Sequence, residues 1–369
     1  MRVVICGGGV IGASIAYFLS LRRVEAVVIE RIGVACAASG KSGGFLALDW
    51  CDGSPLAPLA RRSFALHAEL AAAFPGKWGY RRLDTSGVAV SARRGPTPSA
   101  RPAPPGWVPR GALRHHRLGD TGTTAQVDPA GFTRGLMDAA LERGARLQIG
   151  RVTGLARDAD GGRVTGAIIN DGEVVAGDAV VITLGPWSVL ASAWLPLPAV
   201  YGLKGHSLVF RNDAPVPAHA LFVEYEAEDG SVDAPEVFPR PDGTTYVCGL
   251  SSRAPLPVDP AAVAPDPGAC ERLRAMTASF APALREAEVV AAQACHRPVT
   301  ADGLPLIGRV PGVDGAYVAT GHSVWGMLNA PATGEALAEL IVDGGAGTVD
   351  LAAFDPARLP PLRRDAVRA

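Results

Sequence analysis

The chain has 369 residues, of which 48% are hydrophobic and 19% charged, and its formal net charge at pH 7 is −1. This composition is typical of a globular protein with room for two cores, and it excludes a disordered chain. The balanced charge predicts no nucleic-acid partner, and the six cysteines contain no C-x-x-C pair, so we expect no metal site.

A glycine-rich turn follows directly on the first predicted strand, residues 3–6. Three glycines then stand in G-x-G-x-x-G spacing before an apolar-periodic helix. The first allows a tight turn, the second lets the backbone approach a pyrophosphate, and the third permits close helix–strand packing. Free N–H groups at the helix start attract the anion. The predicted nucleotide contacts of this turn are Gly7, Gly9, Val10, Ile11 and Gly12.

A second predicted strand, residues 26–29, ends in an acidic residue at the distance expected for a ribose-binding carboxylate. Glu30 is able to accept hydrogen bonds from both ribose hydroxyls, so we expect an adenine dinucleotide without a 2′-phosphate. Arg31 is included in this predicted site. The loop that follows, residues 33–45, is rich in small residues. It suits close approach to a flat ligand, with a flexible surface loop as the alternative.

The middle of the chain alternates predicted helices and strands. A helix is predicted over residues 55–74 and a strand over 88–90, followed by a Pro/Gly-rich connection over 94–125 that we expect at the surface or as a lid. His115 and His116 in this connection are adjacent and therefore do not share a helix face, which argues against a metal site. A capped helix over 128–144, a hairpin over 151–169 and a buried strand over 179–183 follow.

Short alternating strands dominate residues 200–295 and predict an inserted, largely antiparallel domain with one helix over 268–280. A strand over 316–319 and a helix over 331–342 then complete the first domain. The predicted nucleotide-binding domain comprises residues 1–80, 126–199 and 296–346, the substrate domain comprises 81–125 and 200–295, and 347–369 form a C-terminal tail. Since the first strand begins almost at Met1 and no apolar run reaches transmembrane length, we expect a cytoplasmic protein without a membrane span.

Six motifs, in this order, resemble the D-amino-acid oxidase family of FAD-dependent oxidoreductases, with glycine oxidase and monomeric sarcosine oxidase as similar members. They are the glycine turn with Glu30, the loop 38–44, residues 126–129, Gly185-Pro186-Trp187, residues 297–303, and Gly321-His322 with residues 330–334. The resemblance implies an α/β fold: a Rossmann-type FAD/NAD(P)-binding domain with an inserted antiparallel-sheet (α+β) substrate domain. It also implies FAD and oxidation of a C–N bond of an amine or amino acid by hydride transfer to flavin N5.

The resemblance also implies further cofactor contacts. They are Ser39, Gly40, Lys41, Ser42, Gly43, Gly44, Val152, Gly185, Trp187, Gly321, His322, Gly326 and Met327. Lys41 would place a cation beside the flavin or the pyrophosphate, or else is exposed to solvent. His322 would orient its turn by hydrogen bonding or contact the isoalloxazine edge.

Arg297 is the candidate catalytic residue, because family members bind the substrate carboxylate with an arginine at the matching place and a guanidinium fork suits that anion. The alternative is a structural arginine that pairs Asp302 or backbone carbonyls. Residues 323–325, Ser-Val-Trp, stand where glycine oxidase has polar residues, so we expect a more apolar pocket and a substrate other than glycine. No acid–base residue is identified.

Two positions leave the flavin chemistry open. Cys295 lies seven residues before Asp302, as does the cysteine that tethers the flavin in sarcosine oxidase, so a thioether is conceivable, although non-covalent FAD is favoured. Ser251 stands where that enzyme has a lysine that assists the reaction with oxygen. The electron acceptor is therefore oxygen or, in the alternative of a flavin dehydrogenase, a quinone or a protein. A third alternative is a FAD-stabilised interaction or trafficking protein.

Overall fold

The computed structural model describes residues 1–93, 112–212 and 216–363, which form four β-sheets and five α-helices. The proline-rich part of the predicted connection, residues 94–111, lies outside the described residues. The helices are α1 (Val10–Leu21), α2 (Ala57–Ala73), α3 (Pro129–Glu142), α4 (Ala269–Phe280) and α5 (Gly326–Asp343). In these described ranges no helix is long and apolar enough to cross a membrane, and no group of three His, Cys, Asp or Glu side chains is placed to hold a metal ion.

The strands are numbered in chain order. They are β1 (Arg2–Cys6), β2 (Glu25–Glu30), β3 (Phe45–Ala47), β4 (Arg81–Arg82), β5 (Asp84–Ser91), β6 (Arg114–Gly119), β7 (Thr124–Gln126), β8 (Arg146–Ile149), β9 (Val152–Arg157), β10 (Val164–Ile169), β11 (Glu173–Ala176), β12 (Ala179–Ile182), β13 (Tyr201–Arg211), β14 (His219–Glu226), β15 (Val232–Asp233), β16 (Glu236–Pro239), β17 (Thr244–Ser252), β18 (Val289–Val299), β19 (Leu306–Arg309) and β20 (Ala316–Thr320).

A six-stranded central sheet has the order β19-β20-β12-β1-β2-β8, and all its neighbours are parallel except β19 and β20. Val3 and Ile5 of β1 pack into a core with the helices, whereas Val4 and Cys6 pack into a second core with the antiparallel sheet β11-β10-β9. Because both faces are covered, β1 is apolar from Val3 to Cys6. The predicted α/β fold is confirmed, and the carboxyl ends of β1, β2 and β12 meet at one edge.

The inserted sheet has the order β18-β13-β17-β16-β14-β5-β6, with β15 paired to β14. One pair departs from the predicted antiparallel arrangement, because β14 and β5 run parallel over eight residue pairs. β5 comes from an earlier part of the chain, so no hairpin turn sets its direction relative to β14. The second three-stranded sheet, β3-β7-β4, joins this region to the loop after β2.

Three local predictions need correction. Residues 114–119 and 124–126, predicted as part of a loop, form β6 and β7, and His115 and His116 lie on β6. β6 can approach β5 because a Cβ at Gly87 would lie only 2.3 Å from the His116 ring. The second correction concerns β18, which was not predicted as a strand because its small residues give little alternation of polarity. The third concerns the start of α5.

Helix α5 begins at Gly326, five residues before the predicted start, and contains Pro331 in its interior. Proline lacks the N–H that would bond the Met327 carbonyl. Helix α2 supplies the missing partners: His67 Nε2 donates to the Met327 and Leu328 carbonyls at 3.0 and 3.2 Å, and Ser63 Oγ accepts from Ala332 N at 2.9 Å. This repair explains why the helix continues across the proline.

Burial lowers the pKa of His67 to about 4, so His67 links folding to pH. An unfolded histidine titrates near 6.5, hence the unfolded chain binds one more proton between these values, and folding stability falls by about 1.4 kcal/mol per pH unit below ~6.5. His322 acts in the same direction because burial lowers its pKa to about 3. His67→Gln keeps a hydrogen-bond donor but removes the titrating group. We therefore expect the slope of the free energy of unfolding against pH to decrease by the contribution of one proton, measured by denaturant unfolding between pH 5 and about 6.5. An unchanged slope would contradict the assignment.

Candidate functional site

In the glycine-rich turn between β1 and α1, backbone atoms approach two of the glycines so closely that no side chain would fit there. Gly7 has φ +119°, and a Cβ there would lie 2.5 Å from the Thr183 carbonyl oxygen. A Cβ at Gly12 would lie 2.0 Å from the Gly7 carbonyl oxygen. Ser39 Oγ accepts from Val10 N at 2.9 Å and so sits over the first turn of α1. The turn therefore leaves the backbone accessible at the N-terminus of α1, where the positive end of the helix dipole stabilises an anion.

Glu30 at the end of β2 is 9% exposed, and its carboxylate is oriented by two backbone N–H groups. Oε2 accepts from Gly8 N at 2.7 Å and Oε1 from Ile32 N at 2.9 Å. A carboxylate has about four lone-pair positions, so acceptor capacity remains for ligand hydroxyls. The acid that the sequence singled out is thus fixed beside the glycine turn.

A single cavity of about 830 Å³ runs from this turn to the inserted sheet. It is lined by Arg297 and by most of the predicted cofactor contacts. These are Gly7, Gly9, Val10, Ile11, Glu30, Arg31, Ser39, Lys41, Ser42, Gly43, Gly44, Val152, Gly185, Trp187, His322, Gly326 and Met327.

Gly12, Gly40 and Gly321 do not line the cavity. Each of these three glycines instead allows a close approach of another chain segment behind the cavity wall, where a side chain would not fit. A Cβ at Gly40 would lie 2.1 Å from the Ala35 carbonyl oxygen, and one at Gly321, where φ is +81°, would lie 2.7 Å from Thr300 Cγ2. The contact of Gly12 with Gly7 is the helix–strand packing expected of the third glycine in the motif.

The loop after β2 is held against the inserted sheet, which argues against a flexible surface loop. A Cβ at Gly43 would lie 2.3 Å from the Phe238 ring, and the Tyr246 hydroxyl donates to the Lys41 carbonyl at 2.8 Å. Lys41 is half-buried, and its Nζ donates to the Ala294 carbonyl at 3.3 Å. The fully exposed alternative for Lys41 is therefore wrong, and its charge faces the cavity.

Residues 257–259 lie against the end of the cavity at the glycine-rich turn. Trp187 Nε1 donates to the Pro257 carbonyl at 2.7 Å, and Arg31 Nη1 donates to the Val258 carbonyl at 3.1 Å. Arg31 also forms an ion pair with Asp259 at 3.3 Å. Two predicted cofactor contacts thus bind this segment while they line the cavity.

Arg297 lies on β18 and reaches the far end of the cavity. Its Nη2 donates to Ser251 Oγ, while its buried Nε has no partner among the described residues. Asp302 pairs instead with Arg358, whose Nε lies 2.7 Å from Asp302 Oδ2. The alternative in which Asp302 holds Arg297 is therefore wrong, and the guanidinium keeps donors for a ligand.

On the face of the sheet that carries Arg297, the structure adds a carboxylate that the sequence analysis missed. Glu236 on β16 lines the same cavity, and its Oε2 accepts from the Cys248 thiol at 3.4 Å. Burial raises the pKa of Glu236. The sequence signal that could have identified Glu236 is an acidic residue on a short strand, followed directly by the apolar residues Val237 and Phe238.

Aromatic rings form one wall of the cavity. Phe45, Trp50 and Phe222 contact one another with ring centroids 4.8 to 5.1 Å apart, and Trp325 lies 6.3 Å from Trp50. These rings come from three chain segments, residues 45–50, β14 and the turn before α5, and of the four only Trp325 was singled out by its motif. The apolar pocket expected from residues 323–325 is consistent with this wall.

His322 is 4% exposed, and its Nε2 lies 3.0 Å from Thr333 Oγ1, an arrangement that orients the turn before α5. Its Nδ1 has no partner in the described part of the chain. Burial lowers the pKa of His322, so the ring is neutral. The neutral ring has one nitrogen without a partner among the described residues. His322 is therefore compatible with both roles expected from the sequence, which are to orient its turn by hydrogen bonding and to contact the isoalloxazine edge.

The residues present fit FAD. Open backbone at the α1 start suits the pyrophosphate, and Glu30 suits the ribose. Ser42 Oγ, His322 Nδ1 and Arg297 Nε are buried without partners among the described residues. Buried polar atoms are normally hydrogen-bonded, so these three indicate a polar ligand in the cavity.

Comparisons with known proteins agree with this geometry. The family model described as FAD-dependent oxidoreductase (DAO) matches residues 2–340. A Schizosaccharomyces pombe protein, named as an oxidoreductase without a substrate, is 30% identical over 383 residues, which cover 96% of this chain and 97% of that protein. Glycine oxidase from Geobacillus kaustophilus is 29% identical over 384 residues, 96% of either chain. The crystal structure of glycine oxidase from that organism has a TM-score of 0.82 at 26% identity and covers 97% of this chain and 99% of that chain.

Proposed function

The chain belongs to the FAD-dependent oxidoreductase (DAO) family, and on this premise we propose that it oxidises the C–N bond of an amino acid to an imine, which water then hydrolyses. The observation that carries the proposal is Arg297, a half-buried guanidinium with unused donors in the cavity that fits FAD. A guanidinium binds a carboxylate bidentately, which favours amino acids over simple amines.

Gly7, Gly9 and Glu30 would hold the ADP half of FAD, and the loops around Ser42 and His322 would hold the flavin half. FAD, when bound, supplies the hydride acceptor at flavin N5. Arg297 holds the substrate carboxylate and thereby fixes which hydrogen of the α-carbon faces the cofactor. The aromatic wall excludes water from this end of the cavity, which strengthens the charge interaction with Arg297.

Anaerobic bleaching of the flavin absorption tests the proposal. We would add D- and L-amino acids, N-methylated amino acids and matched amines without a carboxylate, and then admit air. Bleaching by one class of amino acid is expected, and the amines should act more weakly. Failure of the whole panel would contradict the proposal and favour the interaction protein.

The second candidate is a dehydrogenase that passes electrons to a quinone or a protein. Ser251 replaces the expected lysine, and its hydroxyl is engaged by Arg297, which favours this alternative. Lys41, whose charge faces the same cavity, favours an oxidase instead. Fast recovery of the bleached flavin in air would identify an oxidase, and slow recovery would identify a dehydrogenase.

We propose that FAD is bound non-covalently although Cys295 lines the cavity. Burial raises the pKa of the Cys295 thiol, and Arg297 and Lys41 oppose that shift only in part. The thiolate is the nucleophile, so a protonated thiol disfavours a thioether. We expect acid precipitation to release all flavin into the supernatant, and Cys295→Ser to retain the flavin content of the parent protein. Flavin fluorescence that stays with the denatured parent chain and is lost in Cys295→Ser would contradict this.

A further inference from the structure

Glu236 on β16 and Arg297 on β18 line the same cavity, and strands β17 and β13 lie between them in the inserted sheet. Cys248 is the register partner of both Glu236 on β16 and Ser207 on β13, so these three residues share a face. Leu203 on β13 lies opposite Arg297 on β18, and residues two apart on a strand point the same way. The sheet therefore presents a carboxyl and a guanidinium to one ligand.

The Glu236 carboxyl has no cationic partner. In the described ranges no lysine or arginine nitrogen lies within 4 Å of it, and its hydrogen-bond donor is the Cys248 thiol. Arg297 acts on it by charge without a hydrogen bond. The other charged and titratable groups that line this cavity are Glu30, Arg31, Cys36, Lys41, Arg151, His206, Asp233, Tyr246, Cys248, Arg272, Cys295, Arg297 and His322. A buried acid beside an apolar wall with no cation at ion-pair distance is costly, which points to a cationic group in the ligand.

We propose that Glu236 receives the ammonium group of an α-amino acid whose carboxylate is bound by Arg297, and that its carboxylate takes one proton from that ammonium. In this step an N–H bond of the substrate breaks and an O–H bond on Glu236 forms. The electron pair stays on nitrogen, so the substrate becomes the neutral amine. The proposal rests on the proposed function and names its substrate class, a zwitterionic amino acid.

The proton transfer has a chemical reason. Loss of hydride from the α-carbon requires the nitrogen lone pair to form the C=N bond, and an ammonium has none to offer. Proton transfer is most efficient when the acceptor has a pKa near the working pH. Burial raises the pKa of Glu236 toward the working pH, and the Cys248 thiol donates a hydrogen bond to its carboxylate. Glu236 is therefore suited to accept and later return one proton.

Binding of a pair of inert ligands to the FAD-loaded protein tests the recognition step. 2-Aminoisobutyrate carries an ammonium and a carboxylate but no α-hydrogen, and pivalate replaces its ammonium by a methyl group. We expect the protein to bind 2-aminoisobutyrate at least ~10-fold more tightly than pivalate. Glu236→Gln should abolish that preference by weakening the binding of 2-aminoisobutyrate and not that of pivalate, whereas the control Glu224→Gln, on the exposed side of β14, should keep it. Equal preference in the parent protein and Glu236→Gln would overturn the proposal.

Anaerobic reduction of the flavin by the best amino acid tests the proton step. In Glu236→Gln we expect the limiting rate at pH 7 to fall by roughly 100-fold and to rise with pH, because hydroxide or buffer must then remove the proton. Glu236→Asp should restore part of the rate, and flavin content and melting temperature would confirm that each variant folds. A loss that is the same at every pH would overturn the proton step. If no amino acid reduces the parent protein, the proposed function fails, and the inert-ligand binding shows separately whether Glu236 recognises an ammonium.

Discussion

Replacing Arg297 by methionine is expected to raise KM for amino-acid substrates by roughly 100-fold, since the removal of one partner of a desolvated charge pair costs about 2–5 kcal/mol. Methionine keeps much of the length of the side chain and removes the charge and all five donors. The reaction of simple amines, which place no carboxylate on this residue, should change little.

The same variant should keep its flavin. Arg297 contacts Ser251 and not Asp302, so the ion pair of Asp302 with Arg358 stays intact in the variant. Arg297→Lys should recover only part of the affinity, because an ammonium is a point charge without the guanidinium fork. Arg274→Met, on the exposed side of α4, is the matched control. Unchanged KM for amino acids in Arg297→Met would show that this residue does not bind the carboxylate.

The end of the cavity at the glycine-rich turn could be predicted because its signals are local in the sequence. The glycine spacing, the apolar strand before it and Glu30 after the next strand all report one supersecondary unit. Backbone contacts within that unit, such as Gly12 against Gly7, are set by the order of elements. At this end of the cavity the structure supplies distances, but it identifies few residues that the sequence analysis had not already named.

The end of the cavity at Arg297 and Glu236 could not be predicted in the same way. Glu236 faces Arg297 only because β16, β17, β13 and β18 pair in a particular register, and a shift of one residue would turn the carboxyl to the other face. The aromatic wall likewise depends on how Phe45, Trp50 and Phe222 converge from two separate segments. Such a site is specified by long-range pairing, for which a single sequence gives no direct signal.

Helix α5 shows the same limit in a structural element. Pro331 was interpreted as a helix start because proline is favoured in the first turn and disfavoured in a helix interior. The rule fails here because His67 and Ser63, on α2, bond the backbone groups that the proline leaves free. Local preference was overridden by a tertiary contact.

Gly12→Ala is expected to disrupt FAD binding and folding together. The added methyl group would lie 2.0 Å from the Gly7 carbonyl oxygen, a backbone atom that cannot swing away as a side chain end would. Helix α1 would have to move off β1, and the N–H groups at its start would move with it. Overpacking of this kind costs roughly 3 kcal/mol or more, which as a loss of binding is ~100-fold.

Gly162→Ala is the matched control, because nothing lies within 4 Å of a Cβ at that position. The measurements are the ratio of flavin to protein absorbance after purification and the melting temperature with and without added FAD. We expect Gly12→Ala to lose flavin and to melt at a lower temperature, with partial recovery at high FAD because a ligand that binds only the folded state stabilises it by mass action. A normal flavin content together with an unchanged melting temperature would show that the contact between α1 and the turn is not what positions the nucleotide site.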